Sequence, residues 1–262
     1  MAISNAHSLV EVDSRGVAQL TISNAGSMTI FSSQVIASLR EAIAELGRQK
    51  GLRALVLRGE GEKAFVGGAD IKEMAKLEQK SAERFITNLR DLCEAVRDFP
   101  HPVIARIPGW CLGAGLELAI SCDFRIASDK AKFAMPEVKV GIPSVIHAAL
   151  MPRVMGTPRA RWLVMTGATI DAATALNWGL ADVVTTPEKL DAEIEKVLAE
   201  ILECGAEAIA AQKVLIRKWE ELPLKDAINA SIPIFGQSFL TGEPQHHMQK
   251  FIDRPRKPKT QT

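Results

Sequence analysis

Neither sign of charge predominates in this chain: 32 Lys and Arg stand against 31 Asp and Glu, a formal net charge of +1. A bulk electrostatic case for binding nucleic acid or an anionic membrane surface is therefore missing, and neither partner is expected. Although 47% of the residues are hydrophobic, no apolar run approaches the ~18 residues that a membrane-spanning helix needs. The four cysteines, Cys93, Cys111, Cys122 and Cys204, contain no C-x-x-C pair, so the spacing of a zinc or redox site is absent. Three of them lie among apolar residues and read as reduced, buried thiols. Met1–Ser8 has no basic n-region, apolar h-region or Arg-rich amphipathic character, and a cytoplasmic location is expected. No linker, low-complexity block or clean repeat divides the 262 residues, a length suited to one substantial domain with a smaller appendage.

What is present is a rhythm of strand, strand and helix. Leu9–Val12 and Val17–Ile22 read as a hairpin around Ser14-Arg15-Gly16. Ser32-Ser33 caps a helix with Val35, Ile36, Leu39, Ile43 and Leu46 on one face. Arg53–Arg58 is a buried strand, and Lys63–Ile71 is a glycine-rich passage into helical sequence. Ser81 is expected to cap a helix that buries Phe85, Leu89, Leu92 and Val96 and stops before His101-Pro102. Phe124–Ala127 and Lys132–Met135 read as short strands, Ser144 as the start of a helix to Met155, and Thr157-Pro158 as an N-cap and N1 pair. From about Pro187 the pattern is helix after helix. The expected division is thus a ββα core over 1–186 and a helical region over 187–262, ending in the basic, proline-containing tail Arg254–Thr262.

The chemistry concentrates in Pro102–Asp123. A short apolar strand breaks at Pro108-Gly109 and passes through Gly113-Ala114-Gly115 into an apolar helix. Two glycines around one alanine leave the backbone open to a ligand. A helix starting there aims its free N–H groups and positive dipole end into the gap. Glu117 lies one turn further on among Leu116, Leu118, Ala119 and Ile120.

The segments Ala64–Ile71, Pro108–Leu118, Ser121-Cys122-Asp123 and Phe133–Glu137, with Gly167–Ala172 and Gly179–Val183, resemble the signatures of the crotonase family, also called the enoyl-CoA hydratase/isomerase family. The resemblance spans almost the whole chain. It implies an α/β fold, a spiral of ββα units followed by a helical trimerisation region, with homotrimers or hexamers as the usual assemblies. It also implies an acyl-CoA thioester substrate and no metal or redox cofactor, coenzyme A being part of the substrate.

By motif position, the family's oxyanion-hole amides fall on Ala69, after Gly68, and on Ala114, between Gly113 and Gly115. Ala69, Asp70, Ile71 and Lys72 match the segment lining the coenzyme A channel. The two glutamates of the family's hydratases match Glu117 and Glu137, which stand 20 residues apart. Adding water across the C2=C3 bond of a 2-enoyl-CoA needs a base for the water and an acid for the α-carbon, and two carboxyls supply both. Apolar neighbours are expected to raise their pKa values. After Glu137 the chain departs from the glycine-rich run common in hydratases: Ser144 takes a glycine's place and His147 follows, both assigned to the water or acyl pocket. That departure leaves isomerisation, or another specialised acyl-CoA reaction, as the alternative to hydration, with a non-catalytic acyl-CoA-binding subunit behind them. A Rossmann reading fails for want of a complete G-x-G-x-x-G after the first strand. A serine hydrolase built on Ser144 and His147 lacks an acidic orienter. Adjacent His246 and His247 diverge on a helix and read as solvated surface.

Overall fold

The computed structural model describes residues 5–253. Residues 1–4 and the tail from Arg254 onward, which includes the expected basic tail, lie outside the described residues. The described chain falls into two compact units, one to Ile201 and one from Leu202.

In the first unit, β1 (Ser8–Val12) and β2 (Val17–Ile22) form the expected antiparallel hairpin. After β3 (Ile30–Phe31) comes α1 (Ser33–Leu46), where Ser32 accepts from the Val35 N–H as the N-cap and the anticipated apolar stripe is buried. Next follow β4 (Ala54–Gly59), β5 (Ala64–Val66), β6 (Gly68–Ala69), the single turn α2 (Ile71–Met74) and α3 (Gln79–Arg97). Helix α3 starts earlier than the serine at 81 suggests. Glu78 is the N-cap and Ser81 occupies the third helical position of a capping box, its hydroxyl accepting from the Glu78 N–H at 2.8 Å.

The rhythm repeats with β7 (Val103–Ile107), β8 (Trp110–Leu112) and α4 (Ala114–Ser121), then β9 (Phe124–Ser128) and β10 (Lys132–Ala134). Where a continuous helix from Ser144 is expected, the chain makes a 3-10 turn over Ile146–Leu150 before α5 (Met151–Met155). Gly156, not Thr157, precedes α6 (Thr157–Thr166), and Pro158 sits in the second helical position. The unit continues through β11 (Thr169–Asp171), α7 (Ala172–Trp178), β12 (Val183–Thr185) and α8 (Leu190–Glu203).

The first strand of each turn enters a six-stranded sheet ordered β1-β2-β4-β7-β9-β12, and most of the second strands enter a four-stranded sheet ordered β11-β10-β8-β5. Parallel pairing of β4 with β7 and β7 with β9, and of β5 with β8 and β8 with β10, makes the spiral. The core between sheet and helices is built of large apolar side chains, with Leu20, Phe31, Leu39, Leu57, Phe65, Leu89, Leu92 and Phe133 all fully buried.

The boundary falls at 201/202 rather than 186/187. Helix α8 buries Leu190, Ile194, Leu198 and Ile201 and belongs with the first unit. The second unit comprises α9 (Ala206–Glu221), α10 (Leu224–Ser238) and α11 (Glu243–Ile252), with α9 packed on α10. The Glu243 carboxylate caps α9 by accepting from the Glu207 and Ala208 N–H groups at 3.2 and 2.8 Å. His246 and His247 are exposed on α11.

Candidate active site

Strand β6 pairs with β3 in parallel, and the Asp70 N–H donates to the Phe31 carbonyl at 2.9 Å. Alternation along a parallel strand then turns the neighbouring Ala69 N–H toward the opposite edge of β6. Gly68 has φ +112, and a Cβ there would stand 3.5 Å from the Leu112 carbonyl, so the turn before Ala69 lies against the end of β8. Ala114 begins α4 just after Leu112 and Gly113, and its N–H belongs to the first turn that has no intrahelical acceptor. Gly115 completes the approach: its Cα rests so close to the Val66 carbonyl that a Cβ would collide with backbone. The two passages singled out by their glycines are thus packed on each other.

Glu117 is 3% exposed on α4. Its Oε1 accepts from the Ala148 N–H at 3.1 Å, and burial, aided by the charge of Glu137, pushes its pKa up to about 8 against that hydrogen bond. The buried arginines Arg106 and Arg125 are engaged with other carboxylates. Arg125 pairs with Asp182, and Arg106 with Asp191 and Glu62.

Glu137 opens a 3-10 turn over Glu137–Val140 and reaches back to α4, where its Oε1 occupies the space a Cβ on Gly113 would need. Gly113 at φ +52 is therefore required twice, for its backbone and for its missing side chain. Burial raises the Glu137 pKa as well, offset in part by the Ser144 hydroxyl, which donates to Oε2 at 2.9 Å. Desolvation is thus the main cause that raises both carboxyls, with the charge of Glu137 a lesser contribution at Glu117.

Ser144 and His147, both within the helix expected from Ser144, take different partners because the α-helix does not begin until Met151. Ser144 bonds Glu137, whereas His147, 4% exposed, places Nε2 2.9 Å from Glu94 Oε1 on α3. No serine–histidine contact supports a hydrolase. Asp70 caps α2 by accepting from the Lys72 and Glu73 N–H groups, with Ile71 and Lys72 exposed beside it. The sequence reading missed Ala148 and Glu94. A backbone N–H carries no residue signal, and Glu94 is one of many charged residues on α3. It also missed the strain in the turn that bears Ala148: Ile146, β-branched, sits at φ +39, a conformation costing about 1–3 kcal/mol and held only by its surroundings.

A spiral of ββα turns that packs two glycine-bearing passages together and brings the desolvated Glu137 carboxyl to the start of the helix that carries Glu117 is the arrangement of a crotonase-type protein. The chain belongs to the enoyl-CoA hydratase/isomerase family, whose model matches residues 13–261. It is similar to the crotonyl-CoA hydratase of Syntrophomonas wolfei, 31% identical over 91% of this chain and 92% of that one. It is likewise similar to the short-chain-enoyl-CoA hydratase of Clostridium acetobutylicum, 30% identical over 91% and 92%. Among solved structures, an enoyl-CoA hydratase from Mycobacterium smegmatis superposes with a TM-score of 0.91 at 29% identity, covering 96% of this chain and 98% of that one.

Proposed function

We propose that this protein is an enoyl-CoA hydratase that adds water across the C2=C3 bond of a 2-enoyl-CoA thioester. The observation that carries the reading is the pair Glu117 and Glu137, both with raised pKa values, at the start of α4. With Glu117 raised to about 8, the pair holds a proton at neutral pH, the composition that acid–base catalysis needs. Water adds to C3 as one carboxyl takes its proton, and C2 receives a proton from the pair, so hydrogen and oxygen balance with water as the one co-reactant. Negative charge moves to the thioester oxygen during the addition. The Ala69 and Ala114 N–H groups are the donors we assign to it, each worth about 2.7–4 kcal/mol of barrier in sites of this kind.

Gly68 through Lys72 are assigned to the coenzyme A channel, with the exposed Lys72 ammonium suited to phosphate. Coenzyme A enters as part of the substrate, and no separate cofactor takes part. We assign the assembly to a homotrimer or hexamer, and the location to the cytoplasm. No helix among the described residues is long and apolar enough to cross a membrane.

One observation favours a second reading, double-bond isomerisation: the Ser144 hydroxyl satisfies a Glu137 oxygen beside which a hydratase would seat water. Chromatography and mass spectrometry of the products separate the two. Hydration yields a 3-hydroxyacyl-CoA heavier by one water, and a product of unchanged mass would replace hydration with isomerisation.

A further inference from the structure

Consecutive residues of the 3-10 turn after Ser144 hold two different helices. His147 Nε2 lies 2.9 Å from Glu94 Oε1 on α3, and the same oxygen accepts from Arg97 Nη1 at 3.3 Å. The next residue, Ala148, shares its N–H between the Val145 carbonyl of its own turn at 3.0 Å and Glu117 Oε1 on α4 at 3.1 Å. The turn between them starts at Ile146 with φ +39, which a β-branched residue does not hold unaided. Whatever anchors this turn therefore sets where the Ala148 N–H points, and so which way the Glu117 carboxyl faces. His147 is nearly fully buried, and Arg97 is 11% exposed. Glu94, which both contacts share, is 35% exposed and partly reached by solvent, so the fixed geometry of the contact comes from the buried His147 ring.

We propose that His147, clamped by Glu94 and Arg97, is a positioning residue that aims the Ala148 N–H at Glu117. This rests on the assignment of Glu117 to the reaction. In this role His147 acts through the backbone of its own turn and not on the substrate, which replaces its expected place in the water or acyl pocket.

The test is a double-mutant cycle of His147→Ala and Glu94→Ala in the full chain. It reads kcat and KM for a short 2-enoyl-CoA, with hydrogen exchange of the Ala148 amide as a readout independent of turnover. Misplacement of a reacting group by about 1 Å costs on the order of 100-fold, so kcat is expected to fall by about 10-fold to 100-fold with KM within about 2-fold. The double variant should lose no more than either single one. His147→Gln, whose amide nitrogen can stand where Nε2 does, should restore most of kcat and the slow exchange of Ala148. Unchanged kcat and unchanged Ala148 exchange in His147→Ala would overturn the proposal, as would additive losses in the cycle. If the wild-type protein hydrates nothing, the hydratase reading fails by itself. Faster Ala148 exchange in His147→Ala, reversed in His147→Gln, would still support the clamp, and unaltered exchange would sink it. Should His147→Ala not fold, His147→Gln and Glu94→Gln carry the same comparison.

Discussion

Glu117 is a carboxyl whose environment shows in how the whole molecule responds to pH. Its ordinary value is 4.5 and its folded value about 8. Between the two, the folded chain holds a proton that the unfolded chain has already released. Stability must then fall as pH rises through that window, levelling off above about 8. Replacing Glu117 with Gln removes this part of the slope, so thermal unfolding midpoints across the window should decline less steeply in the variant than in the wild type, the raised Glu137 keeping its own share. A wild-type profile parallel to that of Glu117→Gln would contradict the assigned burial. The role proposed for the two glutamates came from the resemblance of their motifs to the family's, with the apolar neighbours of Glu117 one turn into a glycine-started helix as the supporting residue signal. The partners that tune them were not readable. Ala148 acts through its N–H, and Ser144 reached Glu137 instead of His147 because the chain delays its helix past both.

At the level of elements, the site depends on close approach between the start of α4 and what lies over it. The Gly113-Ala114-Gly115 passage was visible in the sequence as open backbone, yet which neighbour fills each gap is a tertiary fact. Gly113 faces the Glu137 carboxyl and Gly115 the Val66 carbonyl. The two should therefore respond differently to a methyl group. Gly113→Ala displaces Glu137 and strains the backbone at φ +52, so it is expected to cut kcat by on the order of 100-fold and to destabilise by about 1–3 kcal/mol as well. Gly115→Ala drives a Cβ into strand backbone and is expected to destabilise by about 1–3 kcal/mol, read as a lower denaturant midpoint. Equal activity in Gly113→Ala and wild type would show that Glu137 is not held where the geometry has it. The start of α3 teaches the converse lesson. A serine in sequence suggests a cap, but Ser81 works equally well three positions inside the helix when a glutamate can take the cap position.

For the whole molecule, the alternation of strand, strand and helix was legible because each turn repeats the same apolar pattern. The domain boundary was less so, since α8 has the same amphipathic character as the helices that follow it and only its packing assigns it to the spiral. The second unit leaves Leu224, Ile232, Phe235 and Leu240 each more than 60% exposed. It also carries an apolar groove lined by Leu215, Phe235, Phe239 and Met248. Exposed apolar surface on this scale is expected to be covered in an assembly. Light scattering should give a mass three or six times the 28.5 kDa of the chain, and a monomer at micromolar concentration would contradict the assigned trimer or hexamer.

The central claim, that Glu117 and Glu137 together hydrate a 2-enoyl-CoA, is tested most directly by the loss of enoyl-thioester ultraviolet absorbance. Wild type, Glu117→Gln and Glu137→Gln are compared over several acyl chain lengths. The account predicts turnover by the wild type on at least one of them and a fall in kcat of about 100-fold to 10,000-fold in each variant. A folded wild-type protein that consumes none of these substrates, or a variant that keeps the wild-type rate, would contradict it.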